Sequence, residues 1–233
     1  MHYNKTPLLN VIAIVGCDGS GKSTLTSDLV AHFHRQQATE LLYLGQSSGN
    51  IGNWIKGLPI IGTPLGNYLK NKAKQAHTKK TSSPDILTVI VIYLLSLWRV
   101  HKFRRMLTLS RHGTLIITDR YPQVEKSGFY YDGTGLDLSR ADNWLTRKLA
   151  ARELRLYQWM ASYIPTLIIR LNIDTETAHA RKPDHKRAML EQKITIIPTL
   201  HFNGAKIVDL NSLDPYDHVL SEALKAVSLA IRK

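Results

Sequence analysis

One cysteine in 233 residues leaves no partner for an internal disulfide. Stability must come from packing, and the chain fits a reducing compartment, here read as the cytoplasm. No apolar stretch approaches the ~20 residues needed to cross a bilayer. Ile86–Trp98 is strongly apolar but only thirteen residues long, and reads as a buried core helix. Acidic residues are scarce, 18 against 31 Lys and Arg, for a net charge of +13. Such a surplus attracts nucleotides, nucleic acid or an anionic membrane without telling them apart. The basic residues cluster at Lys70, Lys72, Lys74, Lys79 and Lys80, and again at Arg99, Lys102, Arg104 and Arg105. No aromatic–basic alternation and no nucleic-acid-binding module accompany them, so they read mostly as solvated faces. There is also no Ser–His–Asp order and no closely spaced Cys/His set, which disfavours triad hydrolysis and structural zinc.

What is present begins at Val11–Ser23, V-I-A-I-V-G-C-D-G-S-G-K-S. Gly16, Gly21, Lys22 and Ser23 fill the G-x-x-x-x-G-K-[ST] pattern of a phosphate-cradling loop. Glycines let the backbone of Gly16, Asp18, Gly19, Ser20 and Gly21 approach an anion closely, with N–H groups converging at a helix start. Lys22 adds a cation for the β- and γ-phosphates, and the Ser23 hydroxyl suits Mg²⁺. The setting is right: apolar Leu8–Val15 reads as a buried strand, and Lys22–Arg35 carries Leu25, Leu29, Val30 and Phe33 at helical spacing. Cys17, inside the loop, reads as a small filler.

Further strands are expected at Glu40–Gly45, Thr114–Thr118, Thr166–Ile173 and Lys206–Leu210. Gln46–Gly66 reads as a long loop with a short helix near Trp54, and Tyr68–Lys80 as a polar, basic stretch. Asp85–Ser110 reads as one long helix, capped by Ser83-Pro84-Asp85 and stopped by Gly113. Two helices are expected around Asp137–Ala151 and Arg152–Tyr163, a third after a cap at Asp174, and a closing one over Asp214–Ile231. Arg181–Lys193 is short, charged and broken by Pro183. Strands alternating with helices, and no evident linker, point to a single α/β domain over 1–233, a three-layer sandwich with about five parallel strands.

Three motifs together resemble the thymidylate kinase family of P-loop nucleoside monophosphate kinases. They are G-C-D-G-S-G-K-S-T at 16–24, D-R-Y at 119–121 after an apolar strand, and Y-D-G-T-G at 131–135. The resemblance runs almost end to end and implies an ATP- and Mg²⁺-dependent phosphotransferase with a lid near 181–193. By it, Lys22, Ser23 and Thr24 hold the donor phosphates and metal, and Asp119 helps to place Mg²⁺. Asp18 contacts the acceptor, Arg120 grips the acceptor phosphate, and Arg99 faces acceptor base or phosphate. Tyr121 and Tyr131 fall on the acceptor side, and Arg181 and Arg187 are the lid arginines. Homodimerisation is typical of the family.

The sequence departs from the family in one place. An Arg-Glu-Pro-Gly string expected after the second strand is replaced by uncharged Leu44-Gly45-Gln46-Ser47-Ser48-Gly49-Asn50, with Gly62-Thr63-Pro64-Leu65-Gly66 as its displaced remainder. A nucleoside monophosphate such as dTMP leads as acceptor, with another nucleotide, a nucleoside or a non-nucleotide molecule open. A second reading is an NTP-binding module acting at an anionic membrane or nucleic acid.

Overall fold

The computed structural model describes residues 4–45, 86–140 and 143–231. The Gln46–Gly66 loop, the Tyr68–Lys80 basic stretch and the Ser83-Pro84-Asp85 cap lie outside the described residues.

A two-residue strand β1 (Thr6–Pro7) pairs in parallel with β5 (Tyr163–Ile164). The main sheet has β2 (Val11–Gly16), β3 (Thr39–Tyr43), β4 (Leu115–Asp119), β6 (Leu167–Asn172) and β7 (Ile207–Asn211). All pairs are parallel, in the order β3-β4-β2-β6-β7. The helices are α1 (Lys22–Phe33), α2 (Ile86–Arg111), α3 (Trp144–Ser162), α4 (Thr175–Arg181), α5 (Arg187–Ile196) and α6 (Tyr216–Ile231). This is the α/β architecture of P-loop NTPases.

The alternation of a strand's side chains sorts the core into two layers. Val11, Ala13 and Val15 point to the face covered by Val100, Phe103 and Met106 of α2 and by Tyr157 and Met160 of α3. Ile12 and Ile14 point to the opposite face, against Leu25, Leu29 and Phe33 of α1 and Val219, Ala223 and Val227 of α6. Because both faces are covered, β2 and β4 are buried at every residue. Parallel strands also share one carboxyl edge, where open α/β sheets place their ligands. That edge gathers the loops after Gly16, Tyr43, Asp119, Asn172 and Asn211.

Several expectations need correction. The first strand starts at Val11, not Leu8, because Asn10 turns the chain with a φ of 58°. The helices expected to break near Ala151 are one continuous α3, capped by the Asn143 side chain, which accepts from the Thr146 N–H at 2.8 Å. The charged stretch is broken at Pro183 as expected, with α4 before the break and α5 after it, and α5 runs on to Ile196, beyond the expected Lys193. Asp174 caps α4 as expected, accepting from the Thr177 N–H at 2.7 Å. In α2, Val89, Val91 and Ser96 are buried, but Ile86, Ile90 and Leu97 remain exposed, so the apolar helix is buried along one side only. Among the described residues no helix is long and apolar enough to cross a membrane.

Two buried polar ties fix the segments that carry the site. Arg170 of β6 grips Asp209 of β7 with two donors, at 2.6 and 2.9 Å, and donates to the Ile197, Pro198 and Leu200 carbonyls. It thereby anchors the turn that follows α5. Glu153 of α3 is fully buried and accepts from the Ser96 hydroxyl, the Gly135 N–H at 3.1 Å and the Leu136 N–H at 2.7 Å. It binds α2, α3 and the end of the 131–135 motif together. Removing a buried acceptor strands all three donors. Glu153→Ala should therefore lower unfolding free energy by about 3 kcal/mol in a urea titration. A loss below about 1 kcal/mol would show that these donors find other partners.

Candidate phosphate-binding and acceptor site

The loop between β2 and α1 makes a tight turn that excludes side chains. A Cβ on Gly16 would stand 2.7 Å from the Leu171 carbonyl oxygen, so only glycine lets β2 and β6 close at this point. Gly21 precedes α1 with a φ of 85° and supplies no side-chain cap. The first N–H groups of α1 are thus left to an external anion, the arrangement that favours phosphate. Lys22 is buried and its ammonium donates to the Cys17 carbonyl at 2.6 Å, folded onto the loop. Burial, and then the like charge of Arg120, bring it down to about 8. Cys17 packs with Ala178, Leu190 and Ile197, which confirms it as a filler.

Beside the loop lies a cavity of about 340 Å³, lined by Gly19, Ser20, Gly21, Thr24, Arg181 and Tyr216 among others. Arg181 closes over the loop, donating to the Gly19 carbonyl at 3.1 Å and the Ser212 carbonyl at 3.3 Å. Of the two expected lid arginines it is the one brought to the site. Arg187 is not: it pairs with Glu176 and, at 3.1 Å, with Glu191 on the exposed side of α5. One carboxylate a turn along α5 and another on α4 hold it on the outer surface, away from the loop.

Asp119 ends β4 facing the first turn of α1. The Ser23 hydroxyl donates to Asp119 Oδ2 at 3.5 Å, while Asp119 Oδ1 is buried with no hydrogen-bond partner. Burial pushes the Asp119 carboxyl up, opposed by the charges of Lys22 and Arg120. A buried, unsatisfied carboxylate oxygen next to a hydroxyl is a donor set suited to a hard cation such as Mg²⁺.

Across the loop sits Asp18. Arg120 reaches it at 3.0 Å, His185 lies 3.5 Å away, and Lys193 of α5 donates to it. Burial pushes the Asp18 carboxyl up, but the Lys193 hydrogen bond and the charges of Lys193, Lys22 and Arg120 prevail and hold it at about 2. Arg120 adopts a φ of 73°, unusual for a residue with a Cβ, and also faces Asp132 at 3.6 Å. Arg99 is buried, donating to Asp132 at 3.2 Å and to the Tyr157 hydroxyl at 3.3 Å.

Tyr121 does not belong to the site. It is buried against Phe103 and donates to the Tyr163 carbonyl at 2.8 Å, so its hydroxyl is spent in the core. Tyr131 lies at the rim, its hydroxyl 3.5 Å from Gln192. Its neighbour Tyr130 is the one that faces the charged cluster, with Lys193 5.2 Å from its ring centre.

Sequence reasoning missed Lys193, His185 and Asp132 as site members. A signal for Lys193 existed: it falls three residues after Leu190 and four before Ile197, both buried, so a lysine stands on the apolar stripe of α5. Asp132 was inside a recognised motif, but its role as the shared partner of two arginines needed the fold.

Two proteins of Escherichia coli strain K12 align with nearly the whole chain. "Uncharacterized ATP-binding protein YghS" is 55% identical over 228 residues, 98% of this chain and 96% of its own length. "Uncharacterized ATP-binding protein YghR" is 48% identical over 219 residues, 94% of this chain and 87% of its own length. The chain belongs to the family of these two proteins. No protein-family model matches the sequence. The alignments span both the phosphate loop and the Asp119–Arg120 segment, since they leave out only a few per cent of this chain.

Proposed function

We propose that this chain is an ATP- and Mg²⁺-dependent kinase of the thymidylate kinase-like type, moving the γ-phosphoryl group of ATP to a small acceptor. A nucleoside monophosphate such as dTMP is the leading acceptor. The observation that carries the reading is the pairing of two half-sites across one loop. Lys22, Ser23 and Asp119 stand on the donor side, and Asp18, Arg120 and Lys193 on the other. The names of the E. coli relatives support ATP as the donor.

In this mechanism the α1 N–H groups and Lys22 bind the donor phosphates, and Arg181 covers the loop. Ser23 and Asp119 would hold Mg²⁺, which when bound supplies neutralisation of the charge on the phosphates. Arg120 and Lys193 orient and neutralise the acceptor side. Phosphoryl transfer of this kind is mostly alignment and charge compensation, so no strong base is required. Asp18 held at about 2 is a poor proton acceptor at neutral pH. That favours an acceptor already anionic over a neutral hydroxyl that would need Asp18 as its base.

A coupled ADP-release assay over nucleoside monophosphates, nucleosides and sugar phosphates tests the proposal. Acceptor-stimulated turnover with at least one phosphate-bearing compound is the expected result. No stimulation anywhere in the panel would count against a kinase.

A further inference from the structure

We propose that Gln123, a residue outside all the motifs above, is a positioning residue that sets Asp132 between Arg99 and Arg120. The inference rests on the phosphotransferase reading, in which Arg120 serves the acceptor side, and adds the device that aims it. The Arg120 guanidinium lies between two carboxylates, Asp18 at 3.0 Å and Asp132 at 3.6 Å. Burial works to lower this guanidinium, but it is raised overall, by Asp132 first and then by Tyr43, Asp18 and Asp119. Asp132 also accepts from Arg99 at 3.2 Å, and its main-chain carbonyl takes a second Arg99 donor at 3.2 Å. Whatever places Asp132 therefore places the shared partner of both arginines. Asp132 has a φ of 62°, a left-handed conformation that costs a residue with a Cβ and has to be held from outside.

Gln123 does the holding. It is 1% exposed, and its side chain is spent entirely inside the loop that runs from 123 to 132. The amide nitrogen donates to the Lys126 carbonyl at 2.6 Å and to the Tyr131 carbonyl at 2.8 Å, while the amide oxygen accepts from the Lys126 N–H at 2.8 Å. The Gln123 N–H donates to the Asp132 carbonyl at 3.2 Å, so the two ends of the loop are fastened to each other. Two carbonyls and an N–H converge on one point there. A carboxamide offers two donors and an acceptor on a single head, whereas a carboxylate would face both carbonyls without a proton. A hydrocarbon would strand all three groups. Gly133 leaves room for this brace: a Cβ there would stand 1.9 Å from the Lys126 carbonyl oxygen and 2.9 Å from the Gln123 amide nitrogen. None of the Gln123 hydrogen bonds reaches the phosphate loop, so its influence passes through Asp132 to the arginines.

Arginine labelling with phenylglyoxal, read residue by residue by mass spectrometry, follows Arg120 without any acceptor. Q123M keeps the volume and removes the amide, and should let Arg120 react at least ~5-fold faster than in the parent. D132N should speed the reaction as much. Q123M combined with D132N should go no further, since both remove the same carboxylate from Arg120. G133A leaves Gln123 in place but crowds the brace, and should reproduce Q123M even if Q123M itself fails to fold. In kinetics, Q123M should raise KM ~10-fold for the phosphate-bearing compound with the most turnover in the panel above, and leave KM for ATP within ~2-fold of the parent. A glutamine that merely stabilised the fold would multiply its effect onto that of D132N and raise both KM values together. Either of those results, or Arg120 labelling unchanged in G133A, overturns the inference. Titration of Mg²⁺ and the non-hydrolysable analogue AMP-PNP into the unmodified protein reports the donor loop separately. Failure there strikes the phosphotransferase reading, while the labelling still decides whether Gln123 places Asp132.

Discussion

Replacing Lys22 by alanine is expected to lower turnover by at least ~10³-fold while leaving the fold intact. The ammonium is buried inside the loop, its one hydrogen bond goes to a loop carbonyl, and burial has brought it down to about 8. A cation kept in so unfavourable a place costs stability and is retained for what it binds. Lys22→Ala should therefore unfold at the same denaturant concentration as the parent, or slightly above it, and circular dichroism with a urea series would show this. The depressed ammonium adds a pH signature. Donor phosphates favour the protonated form, so Mg²⁺–nucleotide affinity should be level below pH 8 and fall as pH rises through about 8. One proton must then be taken up on binding, which sets a slope of about tenfold per pH unit. A flat profile from pH 7 to 10 would mean that Lys22 does not contact the phosphates.

Asp119→Asn should have the second largest effect. The substitution keeps size and hydrogen-bonding capacity but removes the negative charge at a buried carboxylate oxygen that has no hydrogen-bond partner among the described residues. Mg²⁺ prefers anionic oxygen ligands and tolerates few departures in geometry. The Mg²⁺ concentration giving half-maximal activity should rise by at least ~10-fold, with kcat lower by ~10²-fold at saturating metal. Because burial already pushes the Asp119 carboxyl up, losing the charge does not strip the fold of an ion pair it depends on. Stability should be unchanged or higher. If the metal requirement of Asp119→Asn matched that of the parent, Asp119 would have no part in holding the cation.

The contrast between these residues and the others shows what a sequence can reveal. Glycines, Lys22 and Ser23 were legible because a phosphate loop needs fixed spacing along one contiguous stretch, and an apolar run followed by a helical pattern supplies its own context. A parallel sheet covered on both faces followed from the βα alternation, whereas the order of its strands needed the fold. Residues whose role depends on distant partners were not legible. Tyr121 follows Arg120 directly, yet it turns into the core because Phe103 and the Tyr163 carbonyl satisfy its ring and hydroxyl together. Arg187 and Arg181 were equivalent as letters; Glu176 and Glu191 draw the first outward, while the Gly19 carbonyl receives the second. Lys193 hid among 31 basic residues; its place on the apolar stripe of α5 was a signal, and its burial sets it apart from a solvated face. The break expected in α3 failed for a different reason. Nothing near Ala151 and Arg152 stops a helix, since neither glycine nor proline occurs between Asn143 and Ser162.

The central claim is that this loop holds a magnesium nucleotide through Lys22. Isothermal titration of AMP-PNP into the purified protein, with Mg²⁺ and then with a chelator, tests it most directly. Saturable binding that weakens on removal of Mg²⁺ and vanishes in Lys22→Ala is the result this account requires. No binding heat under either condition, at any pH between 6 and 8, would contradict it.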